Sequence, residues 1–558
     1  MKNTITRLLA ALLALIMVFG LVACGGNKTP DPTDPPKQND NNKQPEVEET
    51  EKPTEPLEPY TLTWFSFGSE QEGTADVIAA VNELLAEVLP NTTLEMAFHN
   101  GKADAYNMAL AGAEKIDIAW EGYFTALQKD MADGNLMELD ELIDEYAPNI
   151  AAERDSMSDF YKKGTYNGVQ YAIPCAQPVC NESKELFIHG EWAQYFDMEA
   201  IAAEMQGNLK TTQKLLDLID QGLENAVAAG KLVPHQSKVW ISIADIAVRG
   251  YALFNANCEV YVDTTVANPT LQLYYEIPEA IMTNKMIASW YEKGYISESQ
   301  IVSQMPDDAD RVLYFNGTQN RNWSLADEHG IYASTYKKQN GYTILANRPE
   351  DGFRDMLKVD ASNIVIPYTS ENPERAMMFL NLLHDEPGTV GNEIYNILCL
   401  GFAKGSAQAE KYGWYNYELV EQADGSLLAD KSVMPADYVS KHSLNGWAMG
   451  NQYLQYNDGS TAMAPANVEY CKNYAINVVP NMRTTPIDLM PVDIAPVSHI
   501  TDAMKGIVGE QKTIFKYGTN GIDSVETAGK AAVDILYAAG YQEVKDYLQG
   551  CIDEYMGK

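Results

Sequence analysis

The strongest constraint on the fold of this 558-residue chain is an alternation of strand and helix patterns that begins near residue 60. Residues 61–67 are a β-branched and aromatic run that predicts a strand, and residues 74–89 repeat apolar side chains at helical spacing. The pattern then predicts a strand at 92–98, a helix at 103–113 and a strand at 115–121. Such alternation is typical of a parallel sheet covered by helices on both faces.

In open sheets of this kind, ligands bind beyond the carboxyl ends of the strands. Two segments, 67–70 and 120–123, follow the first and third predicted strands and combine aromatic rings with carboxylates or hydroxyls. A ring can pack on the C–H face of a sugar while polar groups bond its hydroxyls. The candidate ligand-binding residues here are Phe67, Ser69, Glu70, Trp120, Glu121 and Tyr123, with Trp64, in mid-strand, left open between site and core.

The amino terminus has the order of parts of a bacterial secretory signal. The mostly apolar residues 8–23 follow Lys2 and Arg7 and lead directly into Cys24. This run is shorter than the roughly 20 residues that span a bilayer as a helix. We therefore expect residues 1–23 to be a lipoprotein signal peptide and Cys24 to be lipidated, because two or more acyl chains hold a protein stably on a membrane. The alternative is an ordinary secreted protein in which this cysteine follows the cleavage site by accident.

Residues 24–59 are predicted to be a disordered stalk behind the lipidated cysteine. Eight prolines lie among Asp, Glu, Asn, Gln, Thr and Lys, and little in the segment could be buried. Such a composition cannot bury enough apolar surface to offset the entropy lost on ordering, and the prolines favour extended chain.

The remainder, 60–558, has globular composition and is longer than a single core usually supports, so two lobes are expected. The chain carries 40 basic and 78 acidic residues, a formal net charge of −38. This charge repels nucleic acid and anionic lipid headgroups, which leaves the lipid anchor as the expected membrane contact.

Cysteine and histidine spacing bears on disulfides and metals. Cys175 and Cys180 lie close together in a turn-rich stretch, so a disulfide between them stays open. The sequence shows neither a CxxC pair nor a histidine cluster, so no metal site and no cofactor are expected.

Two further signals mark turns and helix ends. Asn167-Gly168 predicts a tight turn that feeds an extended segment leaving the first lobe. Asn372 followed by Pro373 predicts a capped helix start, and an apolar stripe near the carboxyl terminus predicts a final helix that docks on a lobe.

Several segments together resemble the extracellular solute-binding proteins of family 1, the substrate-binding lipoproteins of bacterial ABC importers related to maltodextrin-binding proteins. The segments are 111–118, 134–142, 171–174 and 372–376, with 446–452 and 493–556 similar to the LipO-like subgroup. One departure is Cys399-Leu400-Gly401-Phe402, where such proteins commonly carry a Tyr-Gly turn, so loop contacts do not transfer freely.

The resemblance implies an α/β fold of two lobes joined by a hinge, the type II periplasmic-binding-protein-like fold, with a mostly parallel sheet flanked by helices in each lobe. Lobe 1 is expected to comprise 60–173 and 362–415, and lobe 2 to comprise 174–361 and 416–558. Candidate ligand contacts in the later part of the chain are Trp240, Trp290, Trp323, Trp447 and Asn451, about half of which we expect to be buried structure.

By the same resemblance, the expected function is capture of a carbohydrate, an oligosaccharide, between two closing lobes. The protein would be a lipid-anchored monomer on the extracellular face of the cytoplasmic membrane that delivers its ligand unaltered to the transmembrane subunits of an ABC permease. Alternatives are a binder of peptides or of other polar or cationic solutes, a surface glycan-active enzyme, an adhesive lipoprotein, and a binder that reports to a membrane sensor.

Overall fold

The computed structural model describes most of the chain from residue 57 to residue 558. The positions left out are 1–56, 100–103, 123–124, 126, 179–184, 190–191, 236–238, 302–309, 317–322, 325–330, 337–338, 346–361, 424, 461–462, 464, 474–475, 478–479, 481–483 and 493. The predicted signal peptide, Cys24 and nearly all of the predicted stalk lie outside the described residues.

Strands and helices alternate through the first part of the chain. The strands are β1 (Tyr60–Phe67), β2 (Thr92–His99), β3 (Ile118–Glu121), β4 (Thr165–Tyr166), β5 (Val169–Gln170), β6 (Ala172–Pro174), β7 (Glu185–His189), β8 (Val239–Ser242), β9 (Tyr251–Asn255), β10 (Val260–Asp263), β11 (Leu271–Leu273), β12 (Asp310–Asn316), β13 (Trp323–Ser324), β14 (Ile331–Tyr336), β15 (Gln339–Leu345), β16 (Asn363–Val365), β17 (Glu418–Glu421) and β18 (Leu427–Asp430).

The α-helices are Thr74–Val88, Asp104–Ala111, Leu127–Asp133, Asp140–Tyr146, Pro148–Ser156, Ser158–Tyr161, Met198–Gly207, Gln213–Ala228, Pro278–Glu292, Glu298–Ile301, Pro373–Leu383, Val390–Leu400, Ala407–Tyr412, Pro465–Asn473, Ser498–Met504, Glu510–Tyr517, Ser524–Ala538 and Tyr541–Tyr555.

The first sheet has the strand order β2-β1-β3-β16-β6. Strands β1, β2 and β3 run parallel to one another, and β16 runs antiparallel to both β3 and β6. This confirms the strand and helix alternation predicted from residues 61–121. Helix Thr74–Val88 follows β1 and precedes β2 in the chain. Val77, Val81 and Leu85 form a fully buried stripe along one side of it.

The second sheet differs from the expectation of a mostly parallel sheet in each lobe. Its order is β13-β14-β15-β7-β12-β8, and every neighbouring pair is antiparallel except β12 with β8. Consecutive strands β14 and β15 pair antiparallel as a hairpin does, and β7 runs antiparallel to both β12 and β15. The parallel pattern that the sequence predicted therefore describes β1, β2 and β3 of the first sheet and not the second sheet.

Separate hydrophobic cores lie around these sheets. One face of the first sheet buries Leu62, Trp64 and Ile364 in a large cluster, and the other face buries Ala119 and Val365 in a smaller one. A further cluster packs β7 and β8 against helix Gln213–Ala228. A fourth joins β9, β10 and β11 to the carboxyl-terminal helices, including Val544, Leu548 and Ile552 of the predicted final helix.

Residues between 416 and 456 belong to the core of the first sheet, although the sequence grouped them with lobe 2. Tyr417, Ala429, Leu444 and Met449 are buried in the large cluster that contains Trp64. Their apolar side chains are covered there, whereas the chain from Ile487 onward packs in the carboxyl-terminal cluster. The segment 416–456 therefore shares a core with 60–173 and 362–415.

Both predicted local signals have the expected geometry. Asn167 and Gly168 adopt φ angles of 51° and 83° between β4 and β5, the positive angles that a two-residue hairpin turn requires. The Asn372 side chain accepts a hydrogen bond from the backbone N–H of Arg375 at 3.0 Å, and Pro373 is the first residue of the helix.

Candidate functional site

The carboxyl ends of β1, β2 and β3 lie together at one edge of the first sheet. Phe67 pairs in register with His99, and the pairing of Trp64 with Ile118 brings the end of β3 level with them. Gly68 then turns the chain away with a φ of 145°, and its N–H donates to the His99 carbonyl oxygen at 2.9 Å. A side chain at Gly68 would meet Leu444 at 3.0 Å, so glycine keeps this edge closely packed.

Four aromatic side chains converge at this edge, and we call them the rim cluster: Phe67, His99, Trp120 and Trp447. The Phe67 ring centroid lies 4.9 Å from that of Trp120 and 5.2 Å from that of Trp447. Trp120 lies 5.5 Å from His99 and 6.0 Å from Trp447. Phe67 and Trp447 are partly exposed, whereas Trp120 and His99 are buried. The cluster thus presents two ring surfaces over a buried aromatic floor.

Trp120 supports the rim cluster from beneath, which corrects the prediction that its ring faces ligand. Its side chain is fully buried, and its Nε1–H donates to the Ser362 hydroxyl at 2.6 Å. Ser362 in turn donates to the backbone carbonyl oxygen of Trp447 at 2.6 Å. The two hydrogen bonds tie the end of β3 to the segment that carries Trp447, so Trp120 positions its neighbour.

Trp64 and Trp290 are core residues. Trp64 is fully buried in mid-strand and packs edge-on against Phe379 with ring centroids 5.9 Å apart. Trp290 is also fully buried, and its Nε1–H donates to Asp220 at 2.8 Å. The question left open for Trp64 is answered in favour of the core, because neither ring retains surface for a ligand.

Glu121 is buried rather than exposed to ligand. Its side chain accepts hydrogen bonds from the Tyr106 hydroxyl at 2.7 Å and from the Thr125 hydroxyl at 3.4 Å. Burial, together with the nearby charge of Asp130, raises the pKa of Glu121 to about 8. The group is therefore largely a neutral carboxylic acid at pH 7 that holds the turn after β3 in place, and the prediction of direct contact is wrong in this structure.

His99 is a rim residue that the sequence reasoning missed. It is 3% exposed and stacks on Phe65 and Tyr106 at centroid distances of 5.8 Å and 6.3 Å, and these two rings also contact each other. Burial lowers the pKa of His99, with the backbone of Trp120 acting in the opposite direction. The sequence pattern could have predicted this position, because His99 ends the second of three parallel strands whose carboxyl ends meet at one edge.

The remaining predicted ligand-contact residues lie in different surroundings. Ser69 and Glu70 are exposed in the loop after β1. Tyr123 lies outside the described residues, as does the side chain of Trp323, whose backbone belongs to β13. Trp240 is partly exposed on β8 of the second sheet. Direct ligand contacts by these residues stay predictions.

Trp447 is carried by a segment of short 3₁₀ turns, which we call the strap and define as residues 442–456. The turns are Gly446–Ala448 and Gln452–Leu454. Hydrogen bonds from side chains and backbone hold the strap on the first lobe, and they join His442 to Leu398, Leu444 to Cys399, Tyr395 to Gly446, Asn392 to Leu454 and Tyr456 to Asn396. These five partners all lie on helix Val390–Leu400, so the position of Trp447 is set by bonds between an irregular segment and one helix.

Asn451 anchors the strap and is not a free amide for ligand, which corrects its predicted role. Its Nδ2 donates to a Glu153 carboxylate oxygen at 2.6 Å, and its Oδ1 accepts from the Tyr453 backbone N–H at 2.9 Å. The residue is 6% exposed. Both ends of the amide are therefore used within the protein.

Cys175 lies where β6 leaves the first sheet, and it is a free cysteine in the structure. Burial raises the pKa of its thiol to about 12, so the thiol is neutral at physiological pH. Cys180 lies outside the described residues, and the disulfide that the sequence left open is not formed to Cys175.

Two features are absent from the described residues. Among them, no group of three or more His, Cys, Asp and Glu side chains is arranged to hold a metal ion. No described helix combines the length and apolar character needed to cross a membrane.

Comparison with known proteins gives one relative in sequence and several in structure. No protein-family model matches the chain. A carbohydrate ABC transporter substrate-binding protein of Streptococcus pneumoniae is 23% identical over 465 residues, covering 82% of this chain and 80% of that protein.

Two solved structures share the fold over nearly the whole described body. The N-glycan transport solute binding protein NgtS of Streptococcus pneumoniae superposes with a TM-score of 0.59 at 18% identity, covering 90% of this chain and 100% of NgtS. An extracellular solute-binding protein of Bifidobacterium longum subsp. infantis gives 0.50 at 13% identity, covering 89% of this chain and 99% of that one. The two-lobed fold class is thereby confirmed, and the chain has the fold of the bacterial extracellular solute-binding proteins that its sequence segments resemble.

Proposed function

We propose that this protein is the lipid-anchored, extracellular solute-binding component of an ABC importer, and that its ligand is an oligosaccharide. The observation that carries the proposal is the rim cluster, in which Phe67 and Trp447 keep partly exposed rings at the carboxyl edge of a parallel sheet. This edge is where α/β folds bind small ligands. The relatedness to a carbohydrate ABC transporter substrate-binding protein supports the same class of ligand.

Ring surfaces of this kind suit saccharides for a physical reason. The C–H face of a pyranose packs on an aromatic ring and removes apolar surface from water, while its hydroxyls remain at the ring's periphery for hydrogen bonds. The Phe67 and Trp447 rings, whose centroids lie 5.2 Å apart, are the partly exposed rings of the rim cluster that could pack on a sugar in this way.

The second lobe completes the site by closing over the ligand. Affinity is then set by how much more favourably the closed state holds the ligand than the open state does. Trp240 on β8 is a candidate for the opposing ring because it is partly exposed on the second sheet. Closed, loaded protein would deliver the sugar to the transmembrane subunits of the permease.

We propose that the ligand is released unaltered. A glycosidase needs two carboxyl groups facing its substrate across a cleft. Glu121, the acidic group nearest the rim cluster in sequence, is fully buried and bonded to Tyr106 and Thr125. Such a group can hold a turn but has no surface from which to protonate a glycosidic oxygen.

The experiment uses the chain without residues 1–24, titrated with a panel of mannose- and N-acetylglucosamine-containing oligosaccharides, with short peptides and polyamines as comparison ligands. We expect at least one oligosaccharide to raise the melting temperature, to change tryptophan fluorescence saturably and to be recovered intact by mass spectrometry. Binding of a peptide or polyamine alone, or cleavage of the sugar, contradicts the proposal.

Anchoring is tested separately on the full chain. Cys24 would carry the lipid, and the prediction rests on the sequence around it. In the producing bacterium, Cys24→Ala should move the protein from the membrane fraction to the culture medium, while Cys551→Ala, a partly exposed cysteine in the last helix, should leave it on the membrane. Retention of the Cys24 variant on the membrane contradicts lipid anchoring.

A further inference from the structure

A carboxylate with little exposure contacts the strap. Glu153 belongs to helix Pro148–Ser156, and its side chain is 9% exposed. It accepts hydrogen bonds from Asn451 Nδ2 at 2.6 Å and from the Tyr161 hydroxyl at 3.0 Å, and His384 Nδ1 lies 2.9 Å from it. Three different parts of the first lobe thus converge on one carboxylate.

The Asn451 end of this cluster reaches the segment that leads out of the first lobe. Asn451 caps the turn Gln452–Leu454, whose first N–H donates to the Ala176 carbonyl oxygen at 2.8 Å. The Tyr453 hydroxyl donates to the Gln177 carbonyl oxygen at 2.9 Å. Residues 176 and 177 follow β6 directly, so the strap is bonded to the chain at the point where it leaves the first sheet.

The Trp447 end of the strap reaches the returning chain. Its carbonyl oxygen accepts from Ser362, the residue before β16, and Cys175 N–H donates to the Ser362 carbonyl oxygen at 2.9 Å. The chain that leaves β6 and the chain that returns to β16 are therefore both bonded to one strap. That strap is held to the helix Pro148–Ser156 through Asn451 and Glu153.

We propose that Glu153 is a positioning residue for the carbohydrate site: it fixes Asn451, and through the strap it holds Trp447 and the exit from β6 in one arrangement. The inference rests on the proposed function and adds to it a residue that touches no ligand. A carboxylate suits the role because it accepts hydrogen bonds only, and Asn451 Nδ2 and the Tyr161 hydroxyl are both donors. An amide at the same position keeps one acceptor oxygen for these two donors, so the Tyr161 hydroxyl would have to accept from the new N–H group and would lose its own acceptor.

The test exchanges the polarity of the Glu153–Asn451 pair. In Glu153→Gln, one acceptor oxygen remains. If it keeps the bond from Asn451 Nδ2, the Tyr161 hydroxyl loses its acceptor, and turning the Asn451 amide over instead would cost the bond from the Tyr453 N–H. In Asn451→Asp, two carboxylates face each other. The double variant restores one donor and one acceptor, because the new amide at position 153 can donate to the new carboxylate at position 451, which still accepts from the Tyr453 N–H. Asp155→Asn, on the same helix with a side chain 78% exposed, is the control for loss of charge.

Affinity for the oligosaccharide is the first readout. We expect each single variant to bind about tenfold more weakly, the double variant to return to within about threefold of the original chain, and Asp155→Asn to match it. Repeated in a Trp447→Ala background, Glu153→Gln should cause little additional loss, because the ring that it positions is gone. A tenfold loss that persists in that background would overturn the role in positioning Trp447.

Hydrogen–deuterium exchange of peptides covering 442–456 is the second readout and needs no ligand. Exchange should rise in both single variants and return in the double variant. If the original chain binds no oligosaccharide, the proposed function fails, yet this measurement still decides whether Glu153 holds the strap. Unchanged exchange in Glu153→Gln overturns the inference even where sugar binding is normal.

Discussion

The strand ends of the first sheet and the strap that crosses them reach the same rim cluster by different physical means. Trp120, at the end of β3, is held by its place in a ladder and is fully buried. Trp447, in the strap, is held by hydrogen bonds from residues scattered along the chain and stays partly exposed. In this site, the strand ends supply the buried floor and one partly exposed ring, Phe67, and the irregular strap supplies the other exposed ring, Trp447.

The difference follows from where backbone groups find their partners. Strand residues satisfy their N–H and C=O groups within the sheet, so their side chains are free to be covered by helices and become core. The strap has only two 3₁₀ turns, and its remaining polar groups need side chains such as Asn392, Asn396 and Asn416. Such segments lie at the surface, where they can present a ring.

The largest expected effect separates the two regions by stability. Trp120→Ala should lower the free energy of unfolding by about 3–5 kcal/mol, because it leaves a cavity in a core and removes the bond to Ser362. Chemical denaturation checks this, with Trp120→Phe as a smaller change of the same site. A loss below about 1 kcal/mol with weakened sugar binding would show that Trp120 belongs to the ligand surface after all.

The next effect tests whether side-chain hydrogen bonds hold the strap. The buried Asn416 side chain donates to the Leu400 and His442 carbonyl oxygens at 2.8 Å and 2.6 Å and accepts from the Lys441 N–H at 3.2 Å. Asn416→Ala should cost about 1–3 kcal/mol, because the buried groups lose their partners. Exchange of peptides from 438–446 should rise more than exchange of β1, and equal changes in both would contradict a local effect.

Much of the sheet region could be predicted from sequence, because β1, β2 and β3 follow one another with helices between them. Their patterns are local, and the edge where ligands bind follows from the direction of parallel strands. The burial of Trp120 and Glu121 could not be predicted from sequence. Both stand at a strand end, but Ser362 bonds Trp120 and Tyr106 bonds Glu121 from elsewhere in the chain. Asp130 in addition raises the pKa of Glu121.

The strap was predictable only as a resemblance to a subgroup. Residues 446–452 carry that resemblance. The sequence does not show that Glu153, 298 positions away, lies against Asn451, so it predicts a ligand contact there. The second sheet was missed for the same reason. Its strands β7, β8 and β12 come from separate stretches, so no local period announced their antiparallel pairing.

A pH titration sharpens the contrast at the strand ends. The folded-state pKa of Glu121, about 8, lies above the value near 4.5 of an unperturbed Glu, so the folded chain binds the extra proton between these values. The stabilising contribution of this proton to the free energy of unfolding is fully present below pH 4.5 and is lost as pH rises through 8. Over that range the free energy of unfolding falls by at most about 1.4 kcal/mol per pH unit.

Glu121→Gln, which mimics the neutral acid, should therefore gain stability relative to the original chain as pH rises from 5 to 8. Denaturation midpoints across this range check the variant. A Glu121→Gln difference that is constant with pH would mean that the carboxyl is already ionised in the folded protein.

The smallest effect on stability belongs to Trp447, and it completes the comparison. Trp447→Ala removes a partly exposed ring whose backbone, rather than its indole, carries the bond from Ser362. We expect unfolding to change by about 1 kcal/mol or less, while oligosaccharide affinity falls about tenfold, which corresponds to about 1.4 kcal/mol. Trp447→Phe should recover part of the affinity, since a smaller ring can still pack on a sugar. Trp120 and Trp447 contact each other in the rim cluster. If Trp120→Ala mainly lowers stability and Trp447→Ala mainly lowers affinity, the first ring is floor and the second is ligand surface. If both variants lose stability and affinity in the same proportion, the cluster acts as one core.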